Sequence, residues 1–227
     1  MPHITFTRPD GKDCSGFYVE PPAGSRAPGL VVIQEWWGVN DQIKGVAERF
    51  ATQGYRVLVP DLYRGKVGLD AKEAEHLMGN LNFGDVAGQD VRGAVQYLKK
   101  TSAQVGVTGY CMGGALTLLT SCFVPESDAN TVWYGYPPLE YVDASKIKAP
   151  LLGHFGTDDK IFPIAGVDQL EEKLKAAGVH YTFHRYKAEH AFANEEAINK
   201  PIPIEYNKAA AETAWTRTIE FFRTHLG

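Results

Sequence analysis

An α/β fold is what this sequence predicts, with a mostly parallel central sheet, helices on both faces and an antiparallel N-terminal edge. Three observations carry the prediction. Short apolar runs of strand length alternate with segments of helical period from residue 30 to the C-terminus. Runs such as Leu30-Val31-Val32-Ile33 are apolar at every position, as a strand covered on both faces must be. Finally, residues 105–119 carry a strand-like stretch through Gly-x-Cys-x-Gly into an apolar helix.

The elements follow in order. Ile4 to Val19, around Pro9-Asp10-Gly11, reads as an antiparallel hairpin at a sheet edge. After the Leu30–Ile33 strand, Asn40-Asp41 caps a helix with Ile43, Val46, Ala47, Phe50 and Ala51 on one face, closed by Gly54. Tyr55 to Val59 is the next strand, ended by Pro60. Asp70 opens a short helix, and Val91, Ala94, Val95 and Leu98 mark another. Beyond the Gly-x-Cys-x-Gly turn, strands are expected at Thr131–Tyr134, Pro150–Phe155 and Val179–Tyr186. Leu170 and Leu174 lie on a helix between the last two. Ala211, Ala214, Trp215, Thr218, Ile219 and Phe222 form one face of a C-terminal helix.

Composition fits one domain over residues 1–227. A chain of 227 residues that is 44% hydrophobic can bury a full core without splitting. The formal charge of −4 gives no reason to expect nucleic acid. No apolar run approaches the ~20 residues of a membrane span, and the first residues lack the pattern of a signal peptide. Cys14, Cys111 and Cys122 do not make a disulfide framework. A reducing cytoplasm is the expected setting, with the chain a monomer or weak homodimer.

The turn around Cys111 has the form of the nucleophile elbow of an α/β-hydrolase, with cysteine in place of serine. A side chain at the apex of so sharp a strand-to-helix turn needs small neighbours two residues away on each side, and these are Gly109 and Gly113. The following helix aims its first amides at the apex, where they favour a thiolate or an oxyanion. The plain alternative is an inert buried cysteine in a Gly-rich turn.

A nucleophile needs a base, and in this fold acid and then histidine follow it in the chain. Of His154, His180, His184, His190 and His225, only His190 falls in a loop past a late strand and before the last helix. The other four read as structural or solvent-facing. The loop after the Pro150–Phe155 strand offers Asp158 and Asp159 as the orienting acid, and spacing alone does not separate them.

With these residues in view, the chain resembles the dienelactone hydrolases (carboxymethylenebutenolidases), cysteine members of the α/β-hydrolase superfamily. The resemblance runs through Gln34-Glu35-Trp36-Trp37-Gly38-Val39-Asn40, Gly54-Tyr55 to Pro60-Asp61-Leu62-Tyr63, Gly109 to Gly114, Gly156 to Pro163, and His190-Ala191-Phe192-Ala193. It implies that the third residue after Gly156, Asp159, is the acid. It also implies a role for Glu35: holding the resting thiol protonated and turned away until substrate arrives. A carboxylate there would protect a thiol from oxidation. The implied oxyanion hole is the N–H of Met112 with that of Trp36. No cofactor or metal is implied.

At the substrate end the chain departs from the family. Two arginines hold the substrate carboxylate in those enzymes. One corresponding position here is Asn194, and the other region, Leu69 to Asn82, holds Lys72 and His76 but no arginine. Trp36, Trp37, Tyr134 and Tyr136 are the expected pocket walls, with Trp37, Tyr134, Tyr136 and Asn194 as substrate contacts. The expected activity is therefore hydrolysis of activated esters or lactones by Cys111, His190 and Asp159, through a thioester. Two other classes remain: a small-molecule receptor on a hydrolase fold, and a thiol-redox protein, which the absence of a Cys-x-x-Cys pair disfavours.

Overall fold

The computed structural model describes residues 3–22 and 27–227. Strands β1 (His3–Thr7) and β2 (Asp13–Val19) form the edge hairpin. Then come β3 (Gly29–Ile33), α1 (Asp41–Thr52), β4 (Arg56–Pro60), α2 (Ala71–Gly79), α3 (Phe83–Asp85) and α4 (Arg92–Lys99). β5 (Val105–Tyr110), α5 (Met112–Phe123), β6 (Ala129–Trp133), β7 (Leu151–Gly156), α6 (Ile164–Ala176), β8 (Tyr181–Tyr186) and α7 (Lys208–Leu226) complete the chain. The eight strands form one sheet in the order β1-β2-β4-β3-β5-β6-β7-β8. The hairpin joins it antiparallel through β2 and β4, and the remaining neighbours are parallel.

Strand alternation explains how both faces are buried. On one face Leu30 and Val32 of β3 pack with Ile43, Ala47 and Phe50 of α1 and Phe222 of α7. On the other, Val31 and Ile33 meet Val95 and Leu98 of α4 and Leu116 of α5. α6 extends that second layer, setting Val167, Leu170 and Leu174 against Leu151 and Phe155 of β7. Local capping matches the sequence expectation. Asn40 accepts from the Ile43 amide at 3.1 Å, and Asp70 from that of Glu73 at 2.8 Å.

One stretch departs from simple α periodicity. Val86–Val91 is π-helical and leads directly into α4. The wider turn carries Asp90 inward, where it pairs with Arg8 at 3.1 Å and Arg64 at 2.7 Å. No described helix is long and apolar enough to cross a membrane.

The order β4-β3-β5 places a topological switch beside β3, so that a crevice opens at the carboxyl ends of β3 and β5. The loops after β3, β5, β6, β7 and β8 all end there.

Candidate active site

Cys111 is the one residue between β5 and α5, at φ 56° and ψ −117°. A non-glycine backbone in that region costs about 1–3 kcal/mol and persists only when its surroundings hold it. Close packing supplies that hold. A Cβ on Gly109 would collide with the Gly113 carbonyl, one on Gly113 with the Ile33 carbonyl, and one on Gly135 with the Cys111 carbonyl. The Cys111 amide donates to the Trp133 carbonyl at 3.0 Å, which ties the turn to β6. Met112 opens α5, so its N–H has no intrahelical acceptor and faces the apex.

His190 lies just past β8 and is 2% exposed. Its Nδ1 donates to Asp159 Oδ2 at 2.7 Å. The other Asp159 oxygen accepts from the amides of Ile161 at 2.8 Å and Phe162 at 2.7 Å, which fixes the carboxylate. Its neighbour Asp158 points outward to Lys187 at 2.7 Å. Of the two acids that spacing left open, Asp159 is the one that meets the histidine. The Cys111 thiol lies within hydrogen-bonding reach of the same imidazole. Burial alone would push the His190 pKa down, but the neighbouring Cys111 sulfur and the Asp159 carboxylate outweigh it and carry it up to about 10.

Glu35, at the end of β3, is 3% exposed. Its Oε1 accepts from the Tyr134 hydroxyl at 3.1 Å and its Oε2 from Asn194 Nδ2 at 2.7 Å. Burial raises the carboxyl's pKa, opposed by the His190 charge and by these two bonds. Two expectations change here. Tyr134 is fully buried and spends its hydroxyl on Glu35 instead of facing substrate. Asn194 also gives an N–H to Glu35 but borders a hollow beside Trp37. The thiol is not turned toward Glu35, because its partner is His190. The physical reason is that two neutral donors already satisfy both carboxylate oxygens.

A hollow of about 290 Å³ opens over Cys111 and His190. Trp36, Trp37 and Tyr136 line it, together with Phe83, Phe162 and Ile202. The tryptophan rings meet edge to face with centroids 5.0 Å apart. Among the described residues its lining contains no lysine or arginine. Lys72 and His76 are exposed on α2, and the α2 residue that reaches the hollow is Met78. Sequence reading missed Phe83, Phe162 and the Pro201-Ile202-Pro203-Ile204 strap. Only the strap's clustered prolines hinted at it, and its bridge from Ile204 to His190 is a long-range pairing. Among the described residues no cluster of three or more His, Cys, Asp or Glu could hold a metal ion.

The arrangement can be set against known proteins. A profile of the dienelactone hydrolase family matches residues 15–226. The chain belongs to the dienelactone hydrolase family. It is 31% identical over 228 residues to "Protein usf" of Aquifex pyrophilus, covering 96% of each chain. It is 32% identical to a Methylorubrum extorquens protein named "Putative carboxymethylenebutenolidase", covering 90% of this chain and 75% of that one. In fold it is similar to a dienelactone hydrolase-like promiscuous phosphotriesterase from metagenomic libraries. That comparison has a TM-score of 0.89 and 23% identity over 100% of this chain and 98% of the other.

Proposed function

We propose that this member of the family hydrolyses activated carboxylic esters or lactones through a thioester on Cys111. The observation that carries the reading is His190, buried with Asp159 on one side and the elbow thiol on the other. Cys111 passes its proton to His190 as its sulfur adds to the carbonyl carbon, and the carbonyl electrons move onto oxygen. The amides of Met112 and Trp36 receive that oxyanion; the Trp36 amide makes no backbone hydrogen bond among the described residues. Collapse expels the alcohol or enol oxygen, which takes the His190 proton. Water then gives a proton to His190, adds to the thioester and releases the acid with the cysteine restored. Asp159 keeps the imidazole oriented throughout.

Two features bear on substrate choice. A thiolate leaves more easily than an amide nitrogen, so attack on amides collapses backwards, and good leaving groups are favoured. The hollow is walled by apolar and aromatic side chains, with Glu35 as its buried carboxyl and, among the described residues, no lysine or arginine. Substrate carboxylates would therefore lack a charge-assisted partner, a difference of about one kcal/mol or more per missing bond. Neutral esters are the expected substrates. The test is Cys111→Ala assayed with p-nitrophenyl acetate, which should abolish turnover while Cys14→Ala and Cys122→Ala retain it. Turnover in Cys111→Ala would overturn the reading.

A further inference from the structure

The Cys111 hollow does not stand alone. It shares Phe83, Pro137 and Pro138 with a second hollow of about 510 Å³ beside α5. Through other residues, Trp37, Ile202 and Ile204, it adjoins a third of about 310 Å³. The two annexes differ in chemistry. Leu119, Phe123 and Tyr141 line the one beside α5, which carries no charged side chain among the described residues. Asp70, Glu196 and Lys200 line the other. Five large hydrophobic residues are exposed among those described, and four of them, Leu69, Phe123, Tyr141 and Ile161, border these three hollows. Clustered exposed apolar groups around a catalytic crevice mark a surface that something apolar covers.

Chemistry then assigns a direction. The His190 proton must reach the leaving oxygen, so the leaving group lies on the histidine's side of the tetrahedral carbon. Ile204, which bridges to His190, is a wall of the charged annex. The acyl chain leaves the carbon the other way, past Met112 and Ala115 toward Phe83, Pro137 and Pro138. We propose that the hollow beside α5 is an acyl-chain subsite, so that the enzyme prefers esters of medium-length hydrocarbon acids whose alcohol half points to the charged annex. The proposal rests on the acyl-transfer reading of Cys111.

A series of p-nitrophenyl esters from acetate to octanoate tests it. Each methylene that reaches the hollow should raise kcat/KM by about fourfold, the value of burying one CH₂. Gly84 lines the hollow, its backbone lies outside the left-handed region, and a Cβ there finds its nearest atom, Asn82 Oδ1, at 3.4 Å. Gly84→Leu should therefore fill the space. It is expected to lower kcat/KM for the octanoate by tenfold or more and to leave the acetate unchanged. Octyl acetate, which lengthens the other end, should gain little over ethyl acetate. A flat or falling acyl series, an equal loss on acetate and octanoate in Gly84→Leu, or a matching gain with octyl acetate would overturn the subsite. Calorimetric binding to Cys111→Ala keeps the two ideas apart. If the wild type turns over no ester, the hydrolase reading falls. The subsite then stands only if the octanoate binds Cys111→Ala more tightly than the acetate and Gly84→Leu removes the difference.

Discussion

Two buried histidines, one within β7 and one just past its parallel neighbour β8, meet opposite fates. His154, in the middle of β7, is fully buried, with Nδ1 2.9 Å from the Tyr186 hydroxyl and Nε2 2.9 Å from the Thr218 hydroxyl. Burial pushes its pKa well below the ordinary value, and the nearby His184 and Arg217 push the same way. His190 is as deeply buried, yet its pKa rises, because its partners are the Asp159 carboxylate and the Cys111 sulfur rather than hydroxyls. Burial is the common factor and the partners are what differ. A neutral, hydroxyl-bonded imidazole ties β7 to α7, whereas an anion-bonded one can hold and return a proton. Position along the strand explains the choice. His154 is enclosed within the sheet, while His190 lies beyond β8, where the loops leave room for chemistry.

The comparison breaks most visibly if the histidines exchange effects. His190→Ala should lower kcat/KM for an activated ester by about 10⁴–10⁶-fold, by analogy with other triads, and should also cost stability by leaving the buried Asp159 carboxylate without its partner. His154→Leu should instead leave kcat near wild type while costing about 1–3 kcal/mol in urea unfolding by orphaning the Thr218 hydroxyl. A large kcat loss in His154→Leu with unchanged stability would show that the site extends into the sheet.

A second pair of variants sharpens the same point at the neighbouring acids. Asp159→Asn should lower kcat by about 10²–10⁴-fold, because an amide can present its NH₂ to Nδ1 and select the wrong tautomer. Asp158→Asn loses only an exposed ion pair to Lys187 and should leave kcat within about twofold. The opposite ranking would move the acid by one residue.

How much of this was legible in the sequence depended on whether the signal was local. Caps are local: Asn40 and Asp70 announced α1 and α2 because the bonding partner lies three residues away. The elbow was legible for a related reason, since Gly109 and Gly113 are required by contacts around the turn itself. The π-helical Val86–Val91 was not, because Val86, Ala87 and Val91 also suit an ordinary helix face. What makes the wider turn favourable there is Asp90 meeting Arg8 and Arg64, which arrive from distant parts of the chain. The partners of Glu35 were hidden likewise. Tyr134 and Asn194 lie 99 and 159 residues away from it, and as residue types they read equally well as substrate contacts. Asp158 and Asp159 are adjacent on one turn, so only the position of His190 distinguishes them.

The smallest expected effect concerns Glu35, the carboxyl whose partners are neutral donors. Burial lifts its pKa above the ordinary 4.5, so the folded chain retains a proton that the unfolded chain gives up as pH rises past 4.5. Wild type therefore loses stability from pH 4.5 upward until the folded carboxyl itself has ionised, and the loss is constant beyond that point. Glu35→Gln has nothing to titrate; its side-chain oxygen can still accept from Asn194 Nδ2 and its NH₂ can donate to the Tyr134 hydroxyl oxygen, which leaves Asn194 Oδ1 on the Glu196 amide. The variant should melt about 2–4 °C above wild type at pH 8, the shift that one kcal/mol makes in a chain of this size, and the gap should close toward pH 4. The charge on His190 works against this, because it favours the ionised carboxylate. Melting the same pair in a His190→Ala background removes that opposition and should widen the gap at pH 8. A gap that grows as pH falls would mean that Glu35 is stabilised as an anion, and the contrast between charged and neutral surroundings would then fail at this site.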